Sequence, residues 1–297
     1  MLEKETIVTN STIARPDRHR GNRAVARIIE GAKTSDGAGV KLTRFLGDAA
    51  LPDLDPFLLF DVFESNDPDD YIAGFPPHPH RGFETVTYML KGRMRHKDST
   101  GREGVIEAGD VQWMKAGSGI VHSEMPEQSE GELAGAQLWI NLKAAEKMSP
   151  PHYMEVPSSD IPEATLPGGG RVRKIAGPNG AVDGKFTQPL YLDISLGAGE
   201  AFSTEIPESH NAFLYVASGA VEIIANAPAE DRRVEARRAA LLGPGEILQA
   251  LGVEPENRFL LLAARPLGEP VARMGPFVMN SRAELLQAFE DYRAGRF

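Results

Sequence analysis

Glycine and proline interrupt this chain so often that long helices are excluded over most of its length. The 30 glycines and 22 prolines are spread through all 297 residues, and between them lie short segments of strand length, the pattern of a β-rich fold built on tight turns. Val86, Tyr88 and Leu90 alternate with Thr85, Thr87 and Met89, which predicts a two-sided strand ending at the turn residue Gly92. Residues 137–142 and 259–263 are further apolar runs of strand length. One segment reads differently. Ser281 and Glu284 form a capping-box pair, Leu285, Leu286, Phe289 and Tyr292 follow at helical spacing, and Gly295 stands just past the expected end.

A degenerate repeat runs through the chain. "TVTYMLKGRMRH" (85–96) is matched by "AFLYVASGAVEI" (212–223), each a strand broken at a glycine. "EAGDVQWMKAG" (107–117) pairs with "GPGEILQALG" (243–252), each a turn leading into a strand. Two copies suit two similar β-domains, because a solenoid needs more. Residues 150–180, with "LPGGG" at 166–170, read as the connection, so the division is drawn as 1–150 and 151–297. On this register "NAPAEDRRVEARR" (226–238) looks like an insertion.

Composition narrows the chemistry. There is no cysteine, so disulfides, thiolate metal sites and thiol catalysis are excluded, and any metal must be held by histidine and carboxylate. The formal net charge of −10 disfavours direct nucleic-acid binding. Arg15, Arg18, Arg20, Arg23 and Arg27 cluster near the start and read as a solvated or ion-paired face. No signal peptide is evident, and no apolar run reaches the roughly 18 residues of a membrane helix, so a cytoplasmic location is expected.

The informative stretch is "GFPPHPHRGFETVTYMLKG" (74–92) followed by "AGSGIVHSEMP" (116–126). His78 and His80 are two residues apart, so on a strand both imidazoles point to one face. His122 and Glu124 repeat that spacing. If the two strands are neighbours, three nitrogens and one carboxylate converge on one point, a donor set for a divalent first-row ion such as Fe(II), Mn(II), Ni(II) or Cu(II). Glu84 falls on the same face if the strand runs on regularly, either as a further ligand or, the favoured reading, as an acceptor for a ligand N–H. His19, His96, His152 and His210 lack such a partner and read as surface or satisfied core residues. Phe75, Phe83, Trp113 and Met125 read first as core.

At these residues the chain resembles a cupin, and more narrowly a member of the pirin family. Gly74, His78, His80, Glu84 and Gly92 fit the first cupin motif. The second motif departs from the general pattern, with Lys115 at the usual proline and Glu124 two positions after His122. That departure itself matches pirin, as do "HPHRGFETVTY" (78–88), "GDVQWMKAGSGIVHSEMP" (109–126) and "GPFVMNSRAELLQAFEDYRAGRF" (275–297). The resemblance implies an all-β bicupin: two antiparallel β-barrel, jelly-roll-like domains with few short helices and a C-terminal helix. It also implies one mononuclear iron, as Fe(II), on His78, His80, His122 and Glu124, with manganese, nickel, cobalt, copper or zinc as other occupants. In the second half the positions matching the ligands count to Glu205, Pro207, Arg258 and Leu260, which is no ligand set.

Some pirins resemble quercetinases, which open the heterocycle of a flavonol with O₂ and release carbon monoxide. The resemblance thus implies a flavonol-like aromatic substrate and O₂, with Glu124 as the base for the substrate hydroxyl. Other pirins are metal-dependent regulators that bind a transcription factor or a metabolic enzyme, which implies a protein partner instead. A sugar-phosphate isomerase would need a cationic phosphate site, for which Arg81 and Lys115 are the nearby candidates.

Overall fold

A computed structural model describes residues 21–183 and 187–297. Arg15, Arg18, Arg20 and His19 lie outside the described residues. In chain order the first strands are β1 Val25–Ile29, β2 Ala32–Asp36, β3 Val40–Leu46, β4 Phe57–Ser65, β5 Phe75–His80, β6 Phe83–Lys91, β7 Arg93–Asp98 and β8 Glu103–Glu107. There follow β9 Val111–Lys115, β10 Ile120–Pro126, β11 Leu133–Asn141, β12 His152–Val156, β13 Glu163–Thr165, β14 Arg171–Ala176, β15 Leu190–Leu196 and β16 Ala201–Glu205. The remainder are β17 Asn211–Ser218, β18 Ala220–Ile223, β19 Arg232–Glu235, β20 Arg238–Leu242, β21 Ile247–Gly252, β22 Asn257–Ala264, β23 Ala272–Met274 and β24 Phe277–Met279. The only α-helix among the described residues is α1, Arg282–Arg293.

The chain forms two compact units. One comprises Gly31–Asp160 and Leu267–Phe297, the other Ile161–Pro266 with residues 21–30. The first holds a seven-stranded sheet in the order β12-β9-β6-β11-β4-β3-β2 and a four-stranded sheet β5-β10-β7-β8. The second repeats this as β1-β20-β17-β22-β15-β14-β13 with β16-β21-β18-β19. Strand for strand the two orders correspond, and the named strands pair antiparallel. Each unit is thus a two-sheet β-sandwich of jelly-roll type. The edge place taken by β12 in one unit is taken in the other by β1, from the opposite end of the chain.

This correspondence corrects the sequence repeat. The match of β6–β7 with β17–β18 stands, but the second match is one strand out of step. The true counterpart of "EAGDVQWMKAG" is "EARRAALLGPG" (235–245): Gly109 N–H donates to Met89 O at 2.8 Å, and Arg237 N–H to Val216 O at 2.7 Å. Gly109 has φ +91° and Arg237 φ +60°, the same left-handed turn made once with glycine and once without. Residues 226–238 are therefore no insertion, since they hold β19, paired with β18 as β8 is with β7. Arg258 and Leu260 lie on β22, one strand beyond the counterpart of β10. The strands that do correspond to β5 and β10 contribute Phe202, Leu248 and Ala250 to an apolar core.

Several local expectations need the same adjustment. "LPGGG" is a turn as expected, but it joins β13 to β14, and residues 150–180 hold β12, β13 and β14 in full. Ser281 Oγ accepts from Glu284 N–H and caps α1, while Glu284 Oε2 accepts from Asn280 N–H, one residue before the cap position of a standard capping box. Leu285 and Ala288 are buried there, whereas Leu286 is half exposed, on the outer side of the helix. Arg23 is not a surface arginine. It is buried, and its guanidinium donates to the carbonyls of Gly243, Pro207 and His210. No helix among the described residues is long and apolar enough to cross a membrane.

Candidate metal centre

The site is built where β5 meets β10. In their antiparallel register His80 faces Ile120 and His78 faces His122. The next pair is Phe75 with Glu124, so β5 carries one extra residue at Pro76–Pro77. Proline cannot donate to the ladder and suits such a bulge. On β10, Ile120, His122 and Glu124 are buried while Val121, Ser123 and Met125 are partly exposed. The strand alternation read from sequence is therefore realised, and it aims His122 and Glu124 inward.

The three imidazoles converge. One ring nitrogen from each of His78, His80 and His122 lies within 4.8 Å of the others, and the ring centroids are 4.4–5.0 Å apart. His78 Nδ1 is 2.8 Å from the Pro76 carbonyl. A carbonyl only accepts, so Nδ1 carries a proton and Nε2 is the nitrogen left to face the cluster. His80 Nδ1 and His122 Nε2 are buried with no hydrogen-bond partner. Burial, reinforced by the neighbouring histidines, pulls both rings well below the usual imidazole pKa, so both are neutral at pH 7. Three clustered imidazoles, with two buried nitrogens left unpartnered, could hold a cation.

Glu124 stands beside this triad rather than in it. Its carboxylate is buried and accepts from Thr87 Oγ1 and from Gln137 Nε2, both at 3.0 Å. Trp139 Nε1 donates to Gln137 Oε1 at 3.4 Å, extending the chain of bonds across β11. Phe83 and Trp139 pack on each other and on His80, with centroids 4.3–5.2 Å apart. They give the site an aromatic wall. Behind His122, Tyr153 on β12 places its hydroxyl 3.2 Å from Nδ1. Burial and the carboxylates of Glu124, Asp98 and Glu155 hold that phenol above its ordinary pKa, so it is neutral.

Glu84 is elsewhere. The turn at Arg81–Gly82 breaks the strand, so parity is not carried from β5 into β6. On β6, Phe83 and Thr87 face the site and Glu84 faces the other side of the sheet, where it takes a hydrogen bond from Trp113 and burial lifts it to about 7. Trp113 sits on that far side too, in register with Val86. Phe75 joins the core around Val40 and Leu42, and Met125 points outward. Of the four aromatic or sulfur side chains considered, only Phe83 borders the imidazoles. Arg81 is also committed. It is buried, bonded to Asp291 at 2.7 Å and to Ser118 O at 2.6 Å, so it offers nothing to a phosphate. Among the other histidines, His152 is exposed and His210 buried, while His96 is buried with its ring stacked on Tyr153.

Paired two-sheet sandwiches, one with inward histidines at the β5–β10 junction, define a bicupin with a His₃ site that could hold a single metal ion. Within that class, the Pirin family matches residues 39–140 and the Pirin C-terminal cupin domain residues 191–297, and the chain belongs to the pirin family. A pirin-like protein of Caulobacter vibrioides is 50% identical, covering 93% of this chain and 99% of its own. A Pseudomonas aeruginosa protein provisionally named a quercetin 2,3-dioxygenase is 47% identical, covering 92% and 97%. The crystal structure of quercetin 2,3-dioxygenase from Acinetobacter baumannii superposes with a TM-score of 0.83 at 34% identity, covering 93% and 98%.

Proposed function

We propose that this chain is a dioxygenase of the quercetin 2,3-dioxygenase type, acting on a flavonol or a similarly enolisable aromatic with O₂. The observation that carries the reading is the His78–His80–His122 cluster with the buried Glu124 carboxylate at its side. Relatives of this kind, at 47% and 34% identity, carry the quercetinase name.

The three imidazoles would hold the ion, with Glu124 as fourth ligand, and Fe(II) is the occupant we favour. A bound divalent ion of this kind supplies Lewis acidity and a route for electrons between substrate and dioxygen. The protein's own part is positioning and proton transfer. Glu124 takes the proton of the substrate hydroxyl, and Thr87 and Gln137 hold its two oxygens in place for that transfer. Phe83 and Trp139 offer flat apolar faces to an aromatic ring and exclude water beside His80. The overall change balances as flavonol plus O₂ giving a phenolic ester plus carbon monoxide.

The test is single-turnover chemistry. Protein loaded in turn with Fe, Mn, Ni, Co or Cu receives flavonol without oxygen, then O₂, and carbon monoxide and ring-opened product are measured. Glu124→Gln is expected to slow turnover by about 10²–10⁴-fold, the usual worth of a positioned base. No carbon monoxide with any of the metals overturns the oxygenase reading.

A further inference from the structure

We propose that Tyr153 is a positioning residue for the metal centre, its hydroxyl fixing His122 in the tautomer that leaves Nε2 bare for the ion. The inference rests on the metal-site reading above. Tyr153 Oη and His122 Nδ1 are 3.2 Å apart and can share a proton in two ways. If the phenol donates, His122 carries its proton on Nε2. That nitrogen is buried and has no partner in the protein, and a proton there would bar the ion from it. If the imidazole donates instead, Nε2 keeps its lone pair, and Tyr153 is the acceptor that a ligating histidine needs for its other N–H.

Tyr153 is held independently of this bond. Its strand β12 is in register with β9, Tyr153 opposite Met114, and its ring packs with Met114, Ala116 and Ile120. On another side the ring stacks on His96 at 5.5 Å and 13°. His96 Nε2 is in turn 2.8 Å from a Glu155 oxygen. The hydroxyl is thus delivered to a fixed point behind His122 by packing that owes nothing to it. Removing the oxygen alone leaves that packing whole and takes away the acceptor. His78 already has a carbonyl in the same role, at Pro76, and His80 has a backbone partner at Pro276, so Tyr153 would complete the set for the triad.

Tyr153→Phe tests this without relying on turnover. Co(II) affinity is measured by competition with a chelator, alongside the visible spectrum of the Co(II) protein. The variant should bind Co(II) about 10- to 100-fold more weakly, the range for loss of such an outer partner, with a shifted spectrum. Tyr71→Phe is the control: Tyr71 is a buried tyrosine of the same unit that donates to Gly131 O, and its loss should leave the affinity unchanged. Independently of any variant, nitrogen-15 NMR of the Zn(II)-loaded native chain should show His122 protonated at Nδ1 and metal-bound at Nε2. Equal Co(II) affinity in native and Tyr153→Phe protein overturns the proposal, and so does zinc on Nδ1. A native chain that binds neither ion overturns the metal reading and this inference with it.

Discussion

At the scale of single residues, the site is a cluster of imidazoles beside a buried carboxylate, and the imidazoles could hold a cation. His80 and His122 are held neutral by desolvation, and this has a measurable consequence in the metal-free protein. In the unfolded chain each takes up a proton near pH 6.5, while in the folded chain each does so only at much lower pH. The unfolded state thus binds more protons below that value. Stability is unaffected by these two rings above about pH 6.5 and falls as the pH drops through it. Urea midpoints at pH 7.5 and 5.5 should show a fall that is smaller in His122→Asn, and an equal fall in both proteins contradicts the assignment. A second prediction concerns the carboxylate. Thr87→Val and Gln137→Leu each remove one of the two hydrogen bonds to Glu124 at little change of volume. Each should lower turnover or metal affinity by about 10- to 100-fold, as losses of outer partners do. The clustering of His78, His80 and His122 is legible in the sequence because strand parity holds from His78 to His80 and within β10. Thr87, Gln137 and Tyr153 were not, because they reach the site across sheets, and no spacing along the chain records that.

At the scale of elements, the β5–β6 turn governs what the site can be. Gly82 has φ +87°, and a Cβ there would lie 2.0 Å from the Val278 carbonyl oxygen. Only glycine lets β24 come so near. The same corner is clipped by Lys147, whose buried ammonium donates to Gly82 O, Val278 O and Asn141 Oδ1 at 2.5–2.9 Å. Three acceptors meet three N–H groups, which offsets the burial that draws this lysine down to about 8. Lys147→Met leaves those acceptors unmet and should cost about 3 kcal/mol, seen as a lower urea midpoint with an unchanged slope. A loss below about 1 kcal/mol would mean that water replaces the ammonium at little expense. The turn also explains why Glu84 was misplaced in the sequence reading. Alternation extrapolates through a run of residues, but it restarts after a left-handed glycine. The repeat slipped by a strand for a related reason: Arg237 adopts the turn that Gly109 makes, so the marker residue was absent from the second copy.

At the scale of the whole chain, the candidate ligands come from residues 78–124 while part of their support comes from the last thirty. Arg81 directly follows His80, and its backbone is bonded to the C-terminal segment, with Val278 N–H donating to Arg81 O at 3.0 Å. Its buried guanidinium bonds Asp291 on α1 and lies 4.4 Å over the ring of Phe297. A buried arginine with its partner removed is costly, because its charge is left uncompensated. Helix α1 therefore acts as a brace on the strand that carries His78 and His80. A chain ending at Pro266 keeps every ligand and should still lose its metal on dialysis. Asp291→Asn is the graded form of the same lesion. It should weaken metal binding by about tenfold, in the range for groups that support ligands from behind, and lower the melting temperature. The opposite end gives the contrast, since β1 and Arg23 belong to the other unit. Arg23→Met should destabilise that unit, leaving four carbonyl contacts without their donor, while metal affinity stays at the native value. Metal content after dialysis, set beside urea unfolding for the two variants, separates the brace from general stability. If Asp291→Asn and Arg23→Met lose metal to the same extent, the C-terminal segment has no special hold on the site.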